Sequence, residues 1–164
     1  MDKLLIAVMG NRNSGKSHTW NELFLRTVKT GTKNRELHLN ESEYVNVFLV
    51  SGSPEERGEY VEDIITVDDP RIVLCSVQYR EDATETLNYF FNEGYSIYIH
   101  WLNPGFSDDP IIHYDSHGIV PYLLSKNAMF GIRDGQKDAT DRVNEVKDCI
   151  FGWAKSRNLI KTVR

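Results

Sequence analysis

Eight consecutive residues, Gly10-Asn11-Arg12-Asn13-Ser14-Gly15-Lys16-Ser17, have the spacing G-x-x-x-x-G-K-[ST]. That spacing suits a phosphate-binding loop. A triphosphate needs several donors converging on a small volume, and a tight turn of backbone amides entering a helix supplies them without ordering side chains. Gly10 and Gly15 allow the dihedrals and close approach such a turn needs. The amides of Asn11, Arg12, Asn13 and Ser14 surround the phosphates, Lys16 reaches the β and γ phosphates, and the Ser17 hydroxyl meets Mg²⁺. His18, next along, reads first as a helix-surface residue and is kept as a candidate phosphate contact. The implied ligand is a nucleoside triphosphate with Mg²⁺.

Four fixed positions coincide by chance in roughly one chain in a hundred of this length, so the flanks matter. Leu4-Leu5-Ile6-Ala7-Val8-Met9 is a continuous apolar run, as expected of a buried parallel strand. After the motif, Trp20, Leu23, Phe24, Thr27 and Val28 recur at helical spacing. Strand, loop and helix stand in the order the chemistry requires.

The 164 residues are expected to form one domain with a substantial core. A 40% hydrophobic and 26% charged composition excludes disordered and fibrous classes. No apolar run approaches the ~20 residues that span a bilayer, and the first apolar segment is too short for a signal peptide. A cytoplasmic location is therefore expected. A net charge of -5 gives no general attraction to nucleic acid or anionic membrane. Cys75 and Cys149 read as small buried thiols in a strand and a helix.

Residues 29–35 form a polar loop, and 36–40 and 44–50 pair as an antiparallel hairpin. One helix is expected over 55–65, a buried strand over 71–77, a helix marked by Ala83, Leu87, Phe90 and Phe91 and closed by Gly94, and a strand over 95–102. Residues 106–125 read as loop plus a short helix, 127–132 as the last strand, and Ala139, Val143, Val146, Ile150, Trp153 and Ala154 line a long final helix. This alternation predicts a three-layer α/β/α fold around a mostly parallel sheet, with one antiparallel strand. Loops at 10–17, 51–56, 76–82 and 102–109 should meet at the strands' carboxyl ends, where such sheets bind ligands.

With its motif between strand and helix, the chain resembles the P-loop NTPase superfamily. The form of the loop is most similar to the G-x-x-N-x-G-K-S of small GTPase-like proteins, as is the order of elements. The resemblance would place D-x-x-G after the second long strand, where Ser51-Gly52-Ser53-Pro54 stands, and Asn-Lys-x-Asp near Leu102, where Asn103-Pro104-Gly105 stands. Guanine specificity thus loses support, and ATP is expected over GTP. By analogy with GTPase switch loops, Thr32 is a candidate Mg²⁺ ligand beside Ser17. Small P-loop kinases are the other resemblance; it implies arginine clamps, for which Arg80 and Arg133 are the candidates.

An acidic Mg²⁺ ligand is missing from the strand ends at Ser51 and Ser76, leaving Glu55, Glu56, Asp68 and Asp69 as candidates to approach the metal. His113, Asp115 and His117 could bind a transition metal if extended, although plain loop is the stronger reading and no fourth ligand is evident. Tyr95, Tyr98 and Trp101 are expected in the core rather than stacked on a base. The expected function is Mg²⁺-dependent NTP hydrolysis. Alternatives are γ-phosphoryl transfer to a small acceptor and a low-turnover nucleotide switch that engages a protein partner.

Overall fold

The computed structural model describes residues 1–164. The chain is a mixed α/β structure built on a seven-stranded, mostly parallel sheet. Its first strand, β1 (Lys3–Gly10), is buried along its whole length. Alternate side chains point to opposite sheet faces: Leu5, Ala7 and Met9 enter one apolar cluster, and Leu4, Ile6 and Val8 enter another. Each of the larger of these side chains contributes about 1.5–3 kcal/mol when fully buried, which favours a central place for β1.

Helix α1 (Lys16–Phe24) follows the loop, then the hairpin β2 (Arg35–His38) and β3 (Glu43–Val50). Asn40 turns the hairpin by accepting from the amides of Ser42 and Glu43. Next come α2 (Pro54–Arg57), α3 (Val61–Ile64), β4 (Ile72–Gln78), α4 (Ala83–Asn92) and β5 (Tyr95–Leu102). The chain closes with α5 (Ile119–Ser125), β6 (Met129–Arg133), α6 (Thr140–Lys155) and the two-residue β7 (Lys161–Thr162). Residues of α1 and α6 fill the cluster on one side of β1, and residues of α3, α4 and α5 fill the other.

The strand order is β2-β3-β4-β1-β5-β6, with β7 on β3. Pairings from β3 through β6 are parallel; β2 and β7 run antiparallel to β3. Two strands therefore run against the rest, where one was expected.

Three local expectations differ from the structure. The helix expected over 55–65 is two short ones, because Gly58 adopts φ 66° and ends α2. Helix α1 stops before Thr27: Leu25 takes φ 56°, and the Asn21 side chain accepts from the Val28 amide, so Val28 is buried from outside the helix. Strand β4 runs past Ser76, whose hydroxyl instead accepts from the Trp20 indole at 2.7 Å in the core, and ends on Gln78.

Candidate phosphate-binding site

The loop between β1 and α1 is shaped by its own chain and held from behind. Asn13 and Gly15 both have positive φ, 58° and 102°, and the turn delivers Lys16 to the first position of α1. Two later loops press on it. The Ser14 carbonyl accepts from the Phe106 amide at 2.9 Å and that of Asn13 from Ser107 at 3.1 Å. A Cβ on Gly105 would stand 2.5 Å from that of Ser14, and one on Gly135 would stand 2.6 Å from its carbonyl oxygen. Only glycine allows those backbones so close.

Lys16 is 6% exposed. Its ammonium donates to the carbonyls of Asn11 (2.8 Å) and Gly10 (3.2 Å), to Gln78 Oε1 (3.1 Å) and to Ser14 Oγ (3.4 Å). Every one of these partners is neutral. Burial lowers its pKa, opposed by the nearby carboxylates of Glu56, Glu55 and Asp108.

Beside this ammonium opens a cavity of about 800 Å³, lined by residues 12–18 of the loop and α1, by Ser51, Gly52, Ser53 and Glu56, by Phe106 and Ser107, and by residues 135–138. All but one of the lining residues are polar, charged or glycine. Arg12, Asn13, Ser14, Gly15, Lys16, Ser17 and His18 thus face one space, while Gly10 and Asn11 lie behind it and hold Lys16. Loops 51–56 and 102–109 meet the motif as expected. From 76–82, Gln78 reaches it through Lys16, and the Tyr79 amide donates to the Gly10 carbonyl at 2.9 Å.

The remaining candidates lie elsewhere. Arg80 donates to the Glu55 carbonyl and pairs with Asp82 outside the cavity wall. Arg133 forks onto Glu145 of α6 and is also outside that wall. Thr32 is exposed, its carbonyl accepting from Thr66; Thr30, two residues earlier, is the one that touches the cavity rim, accepting from the Ser51 amide at 2.8 Å.

Among the four acidic candidates, Glu56 lines the cavity. Glu55 is turned inward, accepting from the Gln78 amide (2.6 Å) and the Thr86 hydroxyl (2.5 Å), and burial raises its pKa. Asp69 pairs with Lys3 at the far end of β1, and Asp68 flanks a cleft beside that same lysine.

Asp115 is no metal ligand in waiting: it accepts from the amides of Ile119 and Val120 at the start of α5 and from the Tyr79 hydroxyl. No group of three or more His, Cys, Asp or Glu side chains is arranged to hold a metal. Tyr95 and Trp101 are in the core as expected, Trp101 stacked on Tyr79, and Tyr98 is half-buried against His100.

The chain matches no family model, no curated protein and no solved structure. No helix is long and apolar enough to cross a membrane.

One residue at the site escaped the sequence reading. Arg142 of α6 is 3% exposed and reaches beneath Gly15. Its signal was its place four residues before Val146 and eight before Ile150, in a row of the helix that is otherwise apolar. A cation there has to be buried, and its guanidinium ends among the loops that wall the cavity.

Proposed function

We propose that the chain is a P-loop protein of three-layer α/β/α architecture that binds a nucleoside triphosphate with Mg²⁺ at residues 10–17 and hydrolyses its γ-phosphate. One observation carries the reading: a buried ammonium at the start of a helix, held only by neutral oxygens, beside a polar cavity of about 800 Å³. A buried cation without a counter-ion is costly, and a polyphosphate supplies the missing charge. The cavity is also of the size that holds a small organic ligand.

The donor set fits Mg²⁺, which takes few protein ligands and keeps water and phosphate oxygens in its shell. Ser17 is the protein group that would hold it, leaving the Glu56 carboxylate of the cavity wall free. When bound, the ion would neutralise negative charge on the triphosphate. Loop amides and Lys16 orient the triphosphate and stabilise charge on the γ-phosphoryl oxygens. Glu56, the carboxylate of the cavity wall whose field also reaches Lys16, orients the attacking water and accepts its proton.

A guanine reader is not favoured, because the Asn103 side chain is spent on the backbone of His113, donating to its carbonyl and accepting from its amide. ATP is the first nucleotide to assay. A nucleotide-dependent switch with little turnover is the second reading, and what favours it is that β4, the strand beside β1, ends on neutral Gln78.

Phosphate release and nucleotide affinity, measured together on wild type, Lys16→Ala and Glu56→Gln, test both. Hydrolysis predicts that Glu56→Gln keeps its affinity and loses about a hundredfold in turnover. Tight binding with background turnover in wild type would leave the switch reading standing.

A further inference from the structure

Arg142 forms no ion pair; none of the salt bridges in the molecule includes it. Its Nε donates to Thr19 Oγ1 at 3.1 Å, and that hydroxyl donates in turn to the Gly15 carbonyl at 2.9 Å. Nη1 is shared among the carbonyls of Lys137 (3.2 Å), Asp134 (3.5 Å) and Asp138 (3.5 Å). Nη2 is buried with no partner, 3.5 Å from where a Cβ on Gly15 would stand. One guanidinium thus ties the phosphate loop and α1 to the opposite wall at 134–138, and keeps an unused donor directly beneath Gly15. Arginine stays charged in such a place.

We propose that Arg142 is a positioning residue whose charge, acting through Gly15, tunes the site to the multiple negative charges of a polyphosphate chain in preference to a single phosphate. The proposal rests on residues 10–17 binding phosphate. Lys16 can neutralise one charge of a triphosphate; a second fixed cation behind a glycine, with no side chain between, adds attraction that grows with ligand charge. Its links to the 134–138 carbonyls hold the far wall in register with the loop while the chain is bound.

The test is calorimetric titration of inorganic tripolyphosphate and of orthophosphate into folded wild type, Arg142→Met and Arg142→Lys at two salt concentrations. Arg142→Met is expected to lose about tenfold in tripolyphosphate affinity, with a weaker salt dependence and little change towards orthophosphate. Arg142→Lys, which keeps the charge and loses the fork, stays within about threefold of wild type. Arg142→Gln replaces the Met variant if the latter does not fold.

Equal affinities in all variants overturn the proposal. So do equal losses in Met and Lys, which would make the role one of hydrogen bonding to the loops. A wild type that binds no tripolyphosphate, and is no different from Lys16→Ala, overturns the phosphate-loop reading itself, and only that outcome leaves wild type silent.

Discussion

Two buried lysines stand near the two ends of β1, and they are treated in opposite ways. Lys3, 8% exposed, donates to Asp69 at 2.8 Å, lies 3.9 Å from Glu93 and sits over the Tyr95 ring. Lys16, 6% exposed at the other end, meets only carbonyl, amide and hydroxyl oxygens. The degree of burial is nearly the same and the company is not. On the proposed reading, Lys3 serves the fold and brings its counter-ion with it, whereas Lys16 is left for a ligand to complete.

The contrast can be broken most severely by removing the unpaired lysine. Lys16→Ala should lose about a hundredfold or more in triphosphate affinity by calorimetry, while Lys3→Met leaves affinity unchanged. Equal effects would mean the two ends do not differ in function.

A third buried base, His100, avoids both arrangements by staying neutral. Burial, helped by Arg133 and Arg142 and opposed by Glu145, lowers its pKa to about 4. The unfolded chain takes up this proton near its ordinary pKa of about 6.5 and the folded chain does not, so stability falls as pH drops from there towards 4. By pH 5 the loss is about 2 kcal/mol. Unfolding free energies from urea titrations at pH 7 and pH 5 should diverge by that amount more in wild type than in His100→Gln.

Gln78→Glu would sharpen the comparison by giving Lys16 what Lys3 has. A carboxylate at that position competes with phosphate for the ammonium, and triphosphate affinity should fall about tenfold. Unchanged affinity would show that Gln78 is not what leaves Lys16 free. The smallest effect belongs to Asp69→Asn, a change at an exposed partner: a slight drop in denaturant midpoint and none in nucleotide affinity.

Sequence periodicity revealed much of this fold because burial is a local signal. The all-apolar run from Leu4 to Met9 and the stripe from Ala139 to Ala154 each record how their own backbone is buried. Partners leave no such record. That β4 rather than β3 lies beside β1 is decided by crossovers, and it moves the neighbouring strand end from Ser51 to Gln78. Arg80, past a strand end, and Arg133, in the loop before the last helix, read alike in sequence as candidate clamps, yet Asp82 and Glu145 claim them. Arg142 was obscured for the converse reason: in a stripe scored for apolar residues, a single charge reads as an interruption rather than as a destination. Gly105 and Gly135 are pressed against Ser14, which their own sequence neighbours do not reveal, because close approach belongs to the neighbour as much as to the glycine.

The place of β4 has a further consequence for scale. Adjacent strands lie about 4.8 Å apart, so β3 runs about 10 Å to the side of β1, and its end at Val50 stands level with Ala7, three residues short of Gly10. The intervening strand works as a spacer that sets the width of the cleft, and a short acid at Ser51 would stop well short of the loop. A longer arm from the next turn of chain, Glu56, does line the cavity that the loop faces. In this sheet the reach of the acid is measured out in whole strands.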